Sequence, residues 1–262
     1  MSQELKGNSK DSKNIIIIKD LVKTYGGQKI LAGVDFKVKR NNKTTIIGAS
    51  GCGKSTLLRL ILGLEKFQEG EIFIEGQPIS KLDEDELNII RLRFGMVFQS
   101  AALFDSLTVG ENVGLILKEH TKLKPSEIAK KVKEKLDMVG LADTYAQMPA
   151  ALSGGMKKRV AFARAIVNDP SVLLFDEPTT GLDPITSTTI ENLIKDLTDT
   201  IHATSIVVTH QISTILNTSE KIIMIHEGKA IKTEGPKKIM KSKNKMVYKF
   251  VNGLVDTAPK IV

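Results

Sequence analysis

Thr44-Thr45-Ile46-Ile47-Gly48-Ala49-Ser50-Gly51-Cys52-Gly53-Lys54-Ser55 decides the fold. Thr44 to Ile47 reads as a strand running into Gly48, and a helix follows from about Lys54 to Leu62. Between them, Gly48 to Ser55 fits G-x-x-x-x-G-K-[ST] at every fixed position and in the required strand–loop–helix context. In such a loop the glycines let successive backbone N–H groups point inward around phosphates. Lys54 then neutralises the β- and γ-phosphates, and Ser55 offers its hydroxyl to Mg²⁺. The candidate nucleotide-binding residues here are Gly48, Ala49, Ser50, Gly51, Cys52, Gly53, Lys54, Ser55 and Thr56. Cys52, near a helix N-terminus, is placed where a thiol pKa is lowered.

About a hundred residues on, Leu173-Leu174-Phe175-Asp176-Glu177-Pro178 reads as a buried strand delivering two adjacent carboxylates to its tip. Asp176 is the expected second Mg²⁺ partner, and Glu177 is suited to polarise an attacking water. His210 closes the strand Ser205 to Thr209 and is suited to hold the γ-phosphate. His120, His202 and His226 have no comparable setting. Leu152-Ser153-Gly154-Gly155-Met156 opens a helix with exposed backbone N–H groups, which amounts to a second phosphate-binding site far from the first.

The remaining elements frame these motifs. Ile15 to Ile18 reads as a strand. Val34, Phe36 and Val38 alternate with polar residues, the period of a half-buried antiparallel strand. Gly70 to Gly76 and Phe94 to Phe98 add short strands. Between about 101 and 168 helical patterns replace strands, for example Pro125 to Met138, with proline in its first turn. Strands return at Val172 to Phe175, Thr204 to Val208 and Ile222 to Ile225. The expectation is an α/β protein: a mixed sheet core, an antiparallel β subdomain and an inserted helical subdomain at about 101–168.

The 262 residues, 41% hydrophobic and 26% charged, suit one large domain with an insertion. The expected division is a disordered polar tail over 1–13, a main domain over 14–240 and a basic extension over 241–262. No apolar run is long enough to span a bilayer, and no targeting segment opens the chain, so a cytoplasmic protein is expected. The single cysteine excludes an internal disulfide. The net charge of +8 gathers at Lys237, Lys238, Lys241, Lys243, Lys245 and Lys249, a solvated helix face or a surface drawn to anionic lipid. Of the aromatic residues only Tyr248 falls among these lysines, too little interleaving to support nucleic acid.

In this order, the motifs resemble the ATP-binding subunit of ATP-binding cassette (ABC) transporters, over about residues 15 to 260. The resemblance implies the P-loop NTPase fold of ABC ATPases, with ATP and Mg²⁺ as cofactors. It makes Leu152 to Met156 the family signature, Gln99 the glutamine that senses Mg²⁺ and γ-phosphate, and Asp183 the residue coupling the two sites of a dimer. It makes His210 the switch histidine and Tyr25 the aromatic that stacks on adenine. Ser153, Gly154 and Gly155 would close over ATP held by a second copy's phosphate loop. An integral membrane permease is the further partner implied.

The run Phe98 to Val109, Asp183-Pro184-Ile185-Thr186 and Phe250 to Leu254 are similar to the Mla-type branch, as is Met156 where the commoner signature has glutamine. That branch moves phospholipid between inner and outer membranes and maintains outer-membrane lipid asymmetry. It works with an MCE-domain lipid-binding protein and a small accessory subunit, from the cytoplasmic face of the inner membrane. An ABC ATPase for another cargo, or a non-transport ABC switch, is the alternative. Leu103, Phe104, Leu107 and Val109, just after Gln99, are either subdomain core or a groove for a permease helix.

Overall fold

The computed structural model describes residues 13–254. The expected tail over 1–13 therefore lies outside the described residues except for Lys13, as do the last eight residues of the expected extension. In chain order the strands are β1 (Asn14–Tyr25), β2 (Gln28–Lys39), β3 (Lys43–Ile47), β4 (Glu69–Ile74), β5 (Gln77–Pro78), β6 (Phe94–Val97), β7 (Val172–Asp176), β8 (Thr204–Val208), β9 (Lys221–His226) and β10 (Lys229–Lys232). The helices are α1 (Lys54–Ile61), α2 (Glu84–Arg91), α3 (Val109–His120), α4 (Pro125–Met138), α5 (Gly154–Ile166), α6 (Pro184–Thr200), α7 (Ile212–Thr218), α8 (Pro236–Ile239) and α9 (Lys245–Val251).

Two sheets result. An antiparallel sheet has the order β2-β1-β4-β5, and a mixed sheet has the order β10-β9-β3-β8-β7-β6. In the second, β9, β3, β8, β7 and β6 run parallel and only β10 is antiparallel. The parallel strands are covered on both faces, so β3 and β8 are buried at every position and read as continuous apolar or threonine runs rather than alternating ones.

β1 continues well past Ile18. Asp20 adopts a left-handed conformation (φ 46°), and the register against β2 shifts between Ile18 and Leu21. This bulge puts Lys19 and Asp20 where the apolar pattern breaks, so one bent strand looks like a strand that has ended.

Every element between β6 and β7 is helical. α3, α4 and α5 pack around Val113, Leu117, Val132, Leu136, Val160 and Phe162, and Phe162 meets Phe175 of β7 with ring centroids 5.2 Å apart. α1 buries Leu57, Leu58, Leu60 and Ile61 in a separate core shared with the antiparallel sheet. The C-terminal lysines ride on a packed structure: Ile239, Val247 and Val251 join Ile47, Ile215 and Met224 in a third apolar cluster, while Lys237, Lys238, Lys241, Lys243 and Lys245 stay exposed.

Parallel strand direction positions the site. The loops after β3, β6, β7 and β8 all leave from the carboxyl end of the mixed sheet, where α/β sheets open a crevice for ligands. Ile46 pairs with Val208, and Val208 with Asp176, so these three residues lie level across neighbouring strands.

Candidate functional site

The phosphate loop turns between β3 and α1 with no room to spare. A Cβ at Gly48 would come 2.4 Å from the Ile225 carbonyl oxygen and 2.7 Å from Cys52 Sγ. Gly53, the N-cap of α1, has φ 99°, a conformation that L side chains rarely adopt. The loop thus closes on itself, with Lys54 folded inward. The Lys54 ammonium, 6% exposed, donates to the carbonyls of Gly48 at 2.9 Å and Ala49 at 3.0 Å and lies 3.9 Å from Glu177 Oε1.

Asp176 ends β7, and Ser55 Oγ donates to its Oδ1 at 3.0 Å. Burial pushes the Asp176 carboxyl up, with the neighbouring Glu177 adding repulsion and Ser55 opposing both. Glu177 has φ 48°, so the chain turns sharply and the two adjacent carboxylates diverge. Left-handed non-glycine backbone of this kind concentrates at functional sites. Glu177 is 9% exposed, its amide donates to the Val208 carbonyl at 2.9 Å, and its Oε1 lies 2.9 Å from His210 Nδ1. An ionised carboxylate only accepts, so His210 donates here.

One cleft gathers Tyr25, Ser50, Gly51, Gly53, Lys54, Ser55 and Thr56 with Gln99, Glu177 and His210. Gly48, Ala49 and Cys52 complete the loop beside it. Tyr25 is 42% exposed at the rim. Its hydroxyl donates to Glu65, and the Lys23 ammonium sits 4.6 Å from its ring centroid. Gln99 is exposed after β6, and its carbonyl accepts from Lys158 of α5. Ile30 also lines the cleft and Glu65 anchors Tyr25. Sequence reading passed over both, because neither belongs to a motif.

Cys52 corrects an expectation. Its partial burial outweighs the nearby Lys54, and the thiol pKa is raised rather than lowered.

The signature residues lie elsewhere. Ser153 caps α5, its Oγ accepting from the Met156 amide at 3.3 Å. Ser153, Gly154, Gly155 and Met156 line a second cavity with Asp183, and no lining residue is shared with the first cleft. Asp183 caps α6, its Oδ1 accepting from the amides of Ile185 and Thr186 at 3.0 Å each. Hydrogen bonds from Thr186 hold its carboxyl below the usual range.

The docking residues divide. Val109 is fully buried and Leu103 packs on the helical core, whereas Phe104 is 52% exposed. An apolar groove lies nearby between β6, α3 and α5, lined by Phe94, Gly95, Met96, Leu115 and Ile116.

The donors suit a hard divalent cation with phosphate. The Ser55 hydroxyl and Asp176 carboxylate form a neighbouring oxygen pair. Among the described residues no group of three or more His, Cys, Asp or Glu side chains could hold a metal on its own; a cation between Ser55 and Asp176 would complete its shell with phosphate oxygens and water.

Fold and loop together define a P-loop nucleotide hydrolase. A family model described as ABC transporter matches residues 31–180, and the chain belongs to that family: it is an ATP-binding, ATP-hydrolysing cassette. It is 42% identical to the Arabidopsis thaliana chloroplastic protein TRIGALACTOSYLDIACYLGLYCEROL 3, over 96% of this chain and 77% of that protein. It is 40% identical to the intermembrane phospholipid transport system ATP-binding protein MlaF of Haemophilus influenzae, over 94% and 93%. Among solved structures, a dimeric, post-hydrolysis ATP-binding cassette, MJ0796, bound to ADP and phosphate is 38% identical, with a TM-score of 0.76 over 84% of this chain and 98% of that one.

Proposed function

We propose that this chain is the ATPase that drives a phospholipid transporter, acting as an ATP-sandwich dimer on the cytoplasmic face of an inner membrane. The observation that carries the dimer is the separation of two half-sites on one chain. The phosphate loop, Glu177 and His210 share one cleft, while Ser153 to Gly155 and Asp183 share another. Neither surrounds a nucleotide alone, and a second copy placed head to tail completes both.

Within each completed site Tyr25 stacks on adenine and the loop amides with Lys54 cradle the phosphates. Ser55, Asp176 and Gln99 would hold Mg²⁺, which neutralises developing phosphate charge. Glu177 orients and deprotonates the attacking water, and His210 holds the γ-phosphate in line. The partner copy's signature amides donate to the same γ-phosphate, and Asp183 relays the state of one site to the other. Loss of that phosphate withdraws the contacts that join the copies.

The cargo assignment rests on the relatives. MlaF, named for phospholipid transport, and the plant protein, named for a glycerolipid, match over nearly the whole of this chain and over 93% and 77% of their own lengths. A methionine import ATP-binding protein from Brucella abortus is equally identical but matched over only 60% of its length, which keeps another cargo as the second reading. The exposed Phe104 and the neighbouring apolar groove would seat a short permease helix beside Gln99. An MCE-domain protein and a small accessory subunit would complete the assembly.

Two measurements test this. Glu177→Gln should bind ATP normally while kcat falls by about 10²–10⁴-fold, the usual loss with a general base, and ATP should trap a dimer on size exclusion. A variant with wild-type kcat sinks the role of Glu177. The chain with its co-purified permease, reconstituted in vesicles, should move labelled phospholipid when ATP is added. ATP turnover stimulated by methionine without lipid movement would overturn the cargo.

A further inference from the structure

We propose that Glu191, a buried carboxylate on α6, is a positioning residue that locks the His210 and Glu177 segments into one catalytic geometry. The proposal rests on the hydrolytic roles of those two residues stated above. Glu191 is 1% exposed and has no part in the phosphate loop or the signature. A buried carboxylate is costly unless its oxygens are hydrogen-bonded. Here Oε1 accepts from Ser213 Oγ and Thr214 Oγ1 at 2.8 Å each, and Oε2 accepts from Asn217 Nδ2 at 2.6 Å. All three donors lie on α7, which begins two residues after His210.

The chain of contacts continues. Thr214 Oγ1 lies 2.9 Å from Thr179 Oγ1, and Thr179 Oγ1 donates to Gln211 Oε1 at 2.9 Å. Thr179 and Thr214 are both fully buried. Proton counting settles the rest. A hydroxyl has one proton, and Thr179 spends its own on the Gln211 carbonyl oxygen, which can only accept. The Thr214 proton must then serve both of its neighbours, Glu191 Oε1 and Thr179 Oγ1. Glu191 and Gln211 thus sit as acceptors at the two ends of one buried hydroxyl chain.

The ends of this relay are the functional part. Thr179 lies two residues after Glu177, on the turn leading to Asp183, and Gln211 follows His210 directly. The 2.9 Å approach of His210 Nδ1 to Glu177 Oε1 joins two loops of different strands, and the relay behind it joins the same two loops a second time. Glu191 thus fixes where the water-activating carboxylate and the switch histidine stand relative to each other without touching nucleotide.

The experiment is steady-state ATPase kinetics with thermal melts on the full chain. Glu191→Gln keeps the shape but must set its NH₂ either against that of Asn217 or against the Ser213 and Thr214 hydroxyls, so one side of the donor set has to reverse. It should lower kcat by about tenfold or more with KM for ATP within about twofold, the pattern of a catalytic pair displaced by a fraction of an ångström. Adding Asn217→Asp restores a donor–acceptor match and should return kcat to within about threefold of wild type. Thr179→Val breaks the relay while leaving Glu191 its three donors, and should reproduce the kcat loss without a large fall in Tm; it carries the test if Glu191→Gln does not fold. Wild-type kcat per folded molecule in Glu191→Gln or in Thr179→Val overturns the proposal, as does a loss that Asn217→Asp fails to rescue. Absence of MgATP turnover in the wild-type dimer would instead overturn the hydrolytic reading on which it stands.

Discussion

Cys52 shows how one residue's chemistry follows from its packing. Its Sγ sits 2.7 Å from where a Gly48 Cβ would be, so the thiol is wedged inside the turn of the phosphate loop. Burial raises its pKa, so at neutral pH its thiolate fraction is below that of a free cysteine. Alkylation by a maleimide should therefore be slower than for a free thiol at pH 7, and its rate should keep rising above the pH where a free thiol levels off. Saturating ATP should slow it further, and a fully modified sample should lose ATP affinity through sterics. A reaction faster than that of free cysteine at pH 7 would refute the burial argument. Glu177 is the complementary case. The acidic pair was legible as a strand tip, but the left-handed turn that makes its two carboxylates diverge was not, because no glycine marks it.

At the scale of elements, the loop after β6 is shaped by side chains from far along the chain. Ala101 and Ala102 both have positive φ, 62° and 48°, which costs an alanine on the order of 1 kcal/mol or more per residue. Arg164 of α5 holds them there, donating to the carbonyls of Ala102 at 2.6 Å and Ala101 at 2.7 Å. Asn112 of α3 holds the other half of the loop, accepting from the Phe104 amide and donating to the carbonyls of Phe104, Leu107 and Thr108. Phe104 is thus presented on a braced loop, which explains how an exposed aromatic keeps a defined position beside Gln99. Arg164→Ala should orphan two carbonyls and release both alanines. A loss of about 1–3 kcal/mol follows, lowering Tm by roughly 2–10 °C for a chain of this size, and proteolysis should begin within 99–104. An unchanged Tm would mean the arginine is idle. The helices and parallel strands of this region were readable because their apolar patterns are local. The brace was not: Arg164 looks like a solvated residue on an amphipathic helix, and its partners stand some sixty residues away. The same limit hid the continuation of β1 past the Asp20 bulge, where one left-handed residue imitates a strand end.

At the scale of the whole molecule, the two cavities make a prediction about pairs of chains. The signature was legible as a phosphate-binding helix start, and the resemblance already assigned it to a second copy's phosphate loop; the fold adds that its cavity shares no lining residue with the loop of its own chain. Gly154 is the place to test the consequence, because a Cβ there would meet nothing within 4 Å. Gly154→Asp should leave the fold intact and act only across an interface, by setting a carboxylate against the partner's γ-phosphate. Gly155 is unsuitable, since its Cβ would come 2.9 Å from Thr186. Lys54→Ala breaks the other half-site. Each variant alone places a defect in both sites of its dimer and should be nearly inactive. Mixed in equal amounts, half of the dimers combine one chain of each kind. In those, one site receives both defects and the other receives none. If the sites act independently, the mixture should recover about a quarter of wild-type ATPase activity, a figure that follows from two-fold pairing alone. If each chain instead completes its own site, both defects stay in their own chains, every site in every dimer carries one, and mixing restores nothing.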